Sequence, residues 1–264
     1  MSPPEPLLVA KGVSKRFGSV EALVDVDFDV RAGEVVALVG DNGAGKSTLI
    51  KAISGVQPAD AGEFWFDGQP VTIRSAHDAQ QLGIATVYQD LALCDSLDVV
   101  ANLFLGREIP ARRFWRRAGA LDEREMERQT RALLHSLGVT SLPSVRGTVG
   151  SLSGGQRQSV AIARSLLGEP RMVILDEPTA ALGVVQTAQV LRLIRRLREK
   201  GLAVVVISHN LANVYHFADR IAVLRLGRMA AVLDRRSTRR EEVVAEITGA
   251  TDLAPDLLLS EAPA

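Results

Sequence analysis

A glycine-rich segment that ends in lysine and serine carries the most specific chemistry in this sequence. Residues 40–47 read Gly-Asp-Asn-Gly-Ala-Gly-Lys-Ser and fit the pattern G-x-x-x-x-G-K-[ST]. In such a loop, glycines let backbone N–H groups close around phosphate oxygens, while Lys46 reaches the β- and γ-phosphates and Ser47 coordinates Mg²⁺. The residues predicted to bind a nucleoside triphosphate are Gly40, Asp41, Asn42, Gly43, Ala44, Gly45, Lys46, Ser47 and Thr48.

The segments on either side of this loop match the context that the motif needs. Residues 35–39 form an apolar run that predicts a buried strand, and Leu49, Ile50 and Ile53 recur at helical spacing after the loop. The N-terminus of the predicted helix adds positive potential where phosphate would bind. Strand, loop and helix together therefore predict a phosphate-binding site.

A second apolar run ends in two carboxylates. Residues 172–175 read Met-Val-Ile-Leu, and Asp176 and Glu177 follow them. Beside a nucleotide loop, Asp176 is suited to hold the Mg²⁺ shell and Glu177 to polarise the attacking water. An Asp-Glu pair at a strand end can also cap a helix, but the nucleotide loop favours the catalytic interpretation.

The motif Leu-Ser-Gly-Gly-Gln at residues 152–156 separates this chain from other phosphate-loop proteins. It resembles the signature of ATP-binding cassette (ABC) proteins, in which the start of a helix binds the γ-phosphate held by the opposite subunit's loop. A helix N-terminus suits that anion physically. The resemblance implies that a second copy of the chain completes each ATP site. The signature residues assigned to the nucleotide are Ser153, Gly154, Gly155 and Gln156.

Three further residues occur in the order that the ABC family has. The resemblance implies that Phe17 stacks on adenine, that Gln89 touches Mg²⁺ and the attacking water, and that His209 contacts the γ-phosphate. Gln89 would also link a helical insertion to the core. The implied catalytic set is Lys46, Gln89, Glu177 and His209, and the implied Mg²⁺ ligands are Ser47, Gln89 and Asp176.

The order of predicted elements indicates an α/β fold. Short β-branched runs alternate with helical patterns, which favours a largely parallel sheet, and strand-like stretches near residues 7–13 and 23–30 predict an antiparallel edge sheet. The resemblance implies a P-loop NTPase core of the RecA-like type with an inserted α-helical subdomain. We predict a core of residues 1–89 and 169–250, a helical subdomain over 90–168 and a loose tail over 251–264.

One position departs from the family pattern. After Ala181 and Leu182 the family usually places an aspartate that braces the dimer interface, and this chain has Gly183. The segments 181–183 and 225–228 are similar to variants in the cassettes of simple-sugar importers. Those proteins often carry two cassettes on one chain, whereas this chain has one. The resemblance therefore implies a homodimer that works with integral membrane permease subunits and a solute-binding protein.

Composition narrows the possible partners. The 31 basic residues balance 31 acidic ones, which disfavours nucleic acid as a partner. Cys94 is the only cysteine, which fits a reducing compartment, and no apolar run approaches the ~20 residues that span a bilayer. We expect a cytoplasmic protein held at the inner face of the membrane by its partner. The alternatives are a soluble ABC-type ATPase acting on DNA or ribosomes, and a module that holds ATP without turnover.

Overall fold

The computed structural model describes residues 5–111 and 119–250, so the predicted tail at 251–264 lies outside the described residues. The strands are β1 (Pro6–Phe17), β2 (Val20–Arg31), β3 (Val35–Val39), β4 (Ala61–Phe66), β5 (Gln69–Val71), β6 (Ile84–Val87), β7 (Met172–Asp176), β8 (Ala203–Ile207), β9 (Arg220–Arg225) and β10 (Arg228–Asp234). The helices are α1 (Lys46–Ile53), α2 (Ala76–Gln81), α3 (Val99–Phe104), α4 (Glu123–Ser136), α5 (Gly154–Leu166), α6 (Val184–Glu199), α7 (Leu211–Phe217) and α8 (Arg240–Thr248).

The larger sheet has the strand order β10-β9-β3-β8-β7-β6. Strands β9, β3, β8, β7 and β6 run parallel, and β10 pairs with β9 in the antiparallel sense. Every residue of β3 and of β8 is buried, as expected for parallel strands that are covered on both faces. The prediction of a largely parallel sheet is confirmed.

The smaller sheet is antiparallel, with the order β2-β1-β4-β5. Its apolar side chains pack with Leu49, Ile50 and Ile53 of α1, so the predicted apolar stripe of that helix is buried. The first strand pair was predicted from the sequence, but β4 and β5 were not. Their signal is weak because β4 opens with exposed residues and the three-residue β5 contains Pro70.

Helices α3, α4 and α5 lie between β6 and β7 in the chain, as predicted for the helical insertion. Asp98 and Asp122 cap α3 and α4 by accepting backbone N–H bonds of 2.7 Å and 3.1 Å. Leu103 and Ile162 of the insertion share one buried cluster with Val173 of the sheet. The insertion therefore packs directly on the core, and its exact boundaries stay a prediction. None of the described helices is both long and apolar enough to cross a membrane.

Strand register determines which loops meet at the carboxyl edge of the large sheet. Ile207 of β8 is the register partner of Leu38 in β3 and of Asp176 in β7, while Val87 of β6 is the partner of Leu175. Because the segments that leave parallel strands meet at one edge, four predicted site segments converge there. These begin at Gly40, Gln89, Asp176 and Ser208.

Candidate active site

The glycine-rich loop borders a cavity of 510 Å³, which residues 42–48 line. A Cβ atom on Gly45 would lie 2.6 Å from the backbone oxygen of Ala22 in β2. A Cβ atom on Gly40 would lie 2.1 Å from the backbone oxygen of Leu224 in β9. Only glycine permits this approach, so the loop is fastened between two strands while its N–H groups line the cavity.

Lys46 begins α1 and folds back over the loop. Its Nζ donates to the backbone oxygens of Gly40 at 2.8 Å and Asp41 at 2.9 Å. Gly45 is the N-cap residue and supplies no side-chain cap to α1. The N–H groups of the first turn therefore have no capping side chain and are available to bind an anion.

Glu177 and His209 form a close pair at the end of β7. His209 Nδ1 lies 2.9 Å from Glu177 Oε1, and the histidine side chain is 71% exposed whereas the glutamate side chain is 14% exposed. An ionised carboxylate only accepts hydrogen bonds, so a hydrogen bond between these two atoms requires the proton on Nδ1. This arrangement holds the glutamate in one orientation and leaves the other imidazole nitrogen, Nε2, open to a ligand.

The backbone of Glu177 is strained. Its φ of 49° lies in the left-handed region, and its N–H donates to the Ile207 oxygen of β8 at 3.1 Å. A non-glycine residue held there costs on the order of 1–3 kcal/mol, and such strain clusters at functional sites. The adjacent strand therefore stabilises a conformation that the isolated sequence would avoid.

Partly buried charges at this edge shift one another's pKa values. Burial lowers the pKa of the Lys46 ammonium, and the carboxylates of Glu177, Asp41 and Asp176 oppose that shift. Burial also raises the pKa of the Asp176 carboxyl, the charge of Glu177 raises it further, and Lys46 and Lys51 oppose the change. A divalent cation beside Asp176 would favour the ionised carboxylate.

The oxygen ligands fit Mg²⁺ that is shared with a nucleotide. Asp176 offers a carboxylate and Ser47 a hydroxyl, and Mg²⁺ commonly takes one or two protein oxygens plus phosphates and waters. Within the described part of the chain, no three His, Cys, Asp or Glu side chains group as a metal site. One carboxylate and one hydroxyl suit a Mg²⁺ ion that takes its remaining ligands from phosphates and waters.

The predicted signature forms the N-terminus of α5. Ser153 Oγ accepts the Gln156 N–H at 3.4 Å, and Gln156 Oε1 accepts the Ser153 N–H at 2.9 Å. The Gln156 amide also donates to the Ser141 oxygen at 2.5 Å, so this side chain is engaged within its own subunit. Residues 153–156 are absent from the described lining of the phosphate-loop cavity. Their predicted nucleotide contacts would need a second copy.

Comparison with known proteins decides the family. A model described as "ABC transporter" matches residues 23–180. The chain belongs to the ABC transporter family. The family resemblance inferred from the sequence is thereby confirmed.

Three curated relatives are import ATP-binding proteins. The cassette is 47% identical to the fructose import protein FrcA of Rhizobium meliloti, over 94% of this chain and 96% of that protein. It is 45% identical to the xylose/arabinose import protein XylG of Sulfolobus acidocaldarius, over 92% and 94% of the two chains. It is 46% identical to the ribose import protein RbsA 1 of Rubrobacter xylanophilus, over 90% of this chain and 46% of that protein. The cassette thus spans about half of this third relative.

Solved structures support the predicted fold class. An ATP-binding cassette in its ADP conformation matches with a TM-score of 0.79 at 26% identity, over 97% of this chain and all of that one. A dimeric cassette bound to ADP and phosphate matches with a TM-score of 0.71 at 26% identity, over 88% of this chain and all of that one. The α/β P-loop NTPase fold is therefore confirmed.

Gln89 and Phe17 are both exposed in one copy of the chain. Gln89 is exposed just after β6, next to the strand that carries Asp176. Phe17 ends β1 and is exposed, with the Lys15 ammonium 5.6 Å from its ring centroid. Its cross-strand partner Val20 lines the phosphate-loop cavity, but Phe17 itself does not. The roles of Gln89 at the metal and of Phe17 at adenine stay predictions.

Sequence reasoning missed the residues that position His209. Ser208 Oγ accepts the Asn210 N–H at 3.1 Å, and Asn210 Oδ1 caps α7 by accepting the Asn213 N–H at 3.2 Å. The Asn213 amide donates to Thr179 Oγ1 at 3.3 Å, which ties α7 to the segment after Glu177. Asparagine before a helix is a capping signal, so Asn210 could have been recognised from the sequence.

Proposed function

We propose that this chain is the ATP-hydrolysing subunit of an importer that takes up a small solute, a monosaccharide, through a separate membrane permease. The observation that carries the proposal is the convergence of Lys46, Asp176, Glu177 and His209 at one sheet edge. The import proteins for fructose and for xylose/arabinose, which match nearly end to end, support the solute class.

The residues divide the work of hydrolysis by position. The loop N–H groups and Lys46 bind the β- and γ-phosphates, and Ser47 with Asp176 would hold Mg²⁺, which neutralises charge on the phosphates. Glu177 accepts a proton from the water that attacks the γ-phosphorus, and the bond to the ADP oxygen breaks. His209 orients Glu177. A hydrogen bond from His209 Nε2 to a phosphate oxygen requires the proton on Nε2.

Two exposed valines support a homodimer. Val184 and Val185 are 88% and 72% exposed in the first turn of α6, directly after Gly183. Paired apolar side chains that protrude into water are a common feature of association surfaces. In the homodimer, these valines contact the second copy near the position where the family usually places its bracing aspartate. The signature of each subunit then faces the phosphate loop of the other.

A cleft between the large sheet and the helical insertion is a suitable place for the permease. The cleft has a volume of 370 Å³, and Tyr88, Leu105 and Arg164 contribute to its lining. Arg164 donates to the backbone oxygens of Leu91 and Ala92 at 2.8 Å and 2.7 Å, which fastens the segment after Gln89 to α5. A permease segment bound in this cleft, at the inner face of the membrane, would contact the cassette segment after Gln89 and move with it.

The proposal is tested by ATPase measurements on the cassette alone and with its co-purified membrane subunits. We expect hydrolysis to rise when permease and solute-binding protein are present with sugar. Stimulation by DNA or ribosomes instead would identify the soluble ABC-type ATPase. Tight ATP binding without turnover under every condition would identify the regulatory module.

A further inference from the structure

Two hairpins of this cassette use the same turn geometry with different residues. The β4–β5 turn consists of Asp67 and Gly68, with φ values of 55° and 72°. The β9–β10 turn consists of Leu226 and Gly227, with φ values of 48° and 77°. A two-residue turn with positive φ at both positions strongly favours Asp-Gly or Asn-Gly. Leucine is disfavoured there because its Cβ crowds the following carbonyl oxygen.

Burial does not compensate for the strain at Leu226. The residue is 81% exposed, so an apolar side chain is held in water by a backbone conformation that it disfavours. Asp67 in the matching turn has a polar side chain and pairs with Arg171 at 2.8 Å. The chain therefore uses the favoured residue in one turn and a doubly unfavourable residue in the other, which indicates a function for the Leu226 side chain.

The turn is fastened to the phosphate loop. The Gly227 N–H donates to the Ala44 oxygen at 3.0 Å, and the Gly227 oxygen accepts the Val24 N–H at 2.8 Å. These bonds hold Leu226 beside the phosphate-loop cavity, which it lines together with the exposed Val20. The cavity lining therefore contains the apolar side chains of Val20, Ala22 and Leu226 beside Glu21, while residues 42–48 are the part predicted to bind phosphate.

We propose that Leu226 binds the base of the nucleotide, with its side chain packed against the apolar face of adenine. The inference rests on the proposed nucleotide binding and adds a contact from β9–β10 to the predicted contact from Phe17. When phosphates occupy the loop, the nucleoside is the apolar part of the ligand that remains to be covered. Burying Leu226 against it removes the exposed apolar surface.

The test compares the binding of ADP with that of inorganic pyrophosphate by calorimetry, using the full chain and its variants. Leu226→Asn removes the apolar contact while asparagine tolerates the left-handed backbone, so we expect an unchanged or higher melting temperature. ADP affinity should fall about fivefold, and pyrophosphate affinity should not change. Leu226→Met should bind ADP within about twofold of the parent because it keeps an apolar side chain. Asp67→Asn in the matching turn is the control and should bind both ligands as the parent does.

The following outcomes would each overturn the proposed contact between Leu226 and the base. Equal ADP affinity in Leu226→Asn and the parent removes the base-binding role, and an equal loss for ADP and pyrophosphate assigns the effect to the phosphate loop. Unchanged ADP binding with loss of the ATP-dependent dimer assigns Leu226 to the subunit interface. A parent protein that binds neither ligand overturns the proposed function as well, whereas the preceding outcomes leave that function in place.

Discussion

At the scale of single residues, the groups predicted to do chemistry sit in environments that cost folding energy. Glu177 is held at φ 49°, and Leu226 is held at φ 48° with its side chain in water. The pKa of Asp176 is raised because the carboxyl is partly buried and lies near the carboxylate of Glu177. Stability is commonly lost in this way where a site must be poised for a ligand. Substitutions at these positions should therefore lower activity without an equal loss of folding stability.

Glu177→Gln should bind MgATP but hydrolyse it more than about 100-fold more slowly, because the amide cannot accept the proton of water. The expected product is a stable ATP-bound dimer. Steady-state phosphate release and light scattering measure the two effects. Glu169→Gln is the matched control, since Glu169 is an exposed glutamate that also has positive φ, at 47°. Activity within about threefold of the parent would remove Glu177 from the catalytic role.

Asp176→Asn should raise the melting temperature of the nucleotide-free protein at about pH 7 while it abolishes Mg²⁺-dependent hydrolysis. The folded-state pKa of Asp176 is raised, so its ionised form destabilises the fold above that pKa. The stabilisation by asparagine should shrink as pH falls through the raised pKa, where the parent carboxyl is protonated too. Thermal unfolding over a pH series from neutral into the acid range measures this difference. A variant that melts below the parent at neutral pH would contradict the assigned penalty.

At the scale of elements, the start of α6 shows how a departure from the family pattern is accommodated. Gly183 has φ −69° and ψ 168°, so this glycine is not there for a left-handed backbone. Its N–H donates to Gln186 Oε1 at 3.2 Å. The Gln186 side chain thus makes one of the two bonds of a capping box, and the other bond would need a side chain at the N-cap position. Val184 and Val185, which are both exposed, are the next two residues in the chain.

Gly183→Asp should tighten the ATP-bound dimer. A Cβ atom there would meet only Gln186 Oε1, at 3.9 Å, so the side chain fits. The carboxylate could accept hydrogen bonds across the seam, each contributing roughly 1.5–3 kcal/mol. Light scattering against ATP concentration, in the Glu177→Gln background, measures the change. Gly147→Asp places the same charge at another glycine without positive φ and serves as control. An unchanged or weaker dimer would show that the missing aspartate does not limit association.

At the scale of the whole molecule, the two parts of the predicted ATP site, the phosphate loop and the signature, do not line one common cavity within the described residues. The phosphate loop lines its cavity without residues 153–156, and the signature helix presents Ser153 and Gly154 to solvent. Association would bring the anion-binding start of α5 to the γ-phosphate held by the partner. ATP would then act as part of the interface, and hydrolysis would loosen it.

Ser153→Arg and Lys46→Ala proteins should each be inactive alone, because one blocks the signature and the other removes the phosphate-binding ammonium. A mixture forms heterodimers in which one of the two sites is intact, and we expect it to recover ATPase activity. Each variant incubated alone at the same total concentration is the control. No recovery, in samples where mass spectrometry shows heterodimers, would contradict the shared site.

The sequence by itself determined the family and the α/β class, and it predicted the segments that carry chemistry. These signals are local: a strand, a glycine loop and a helix follow one another at residues 35–53, and the signature needs only a helix start. The tertiary structure alone decided which distant groups meet. Glu177 and His209 are brought within 2.9 Å because β7 and β8 are neighbours. Leu226 lies at the phosphate cavity because its turn bonds to the loop at Ala44. Strand order and turn contacts are non-local, so no spacing in the chain predicts them.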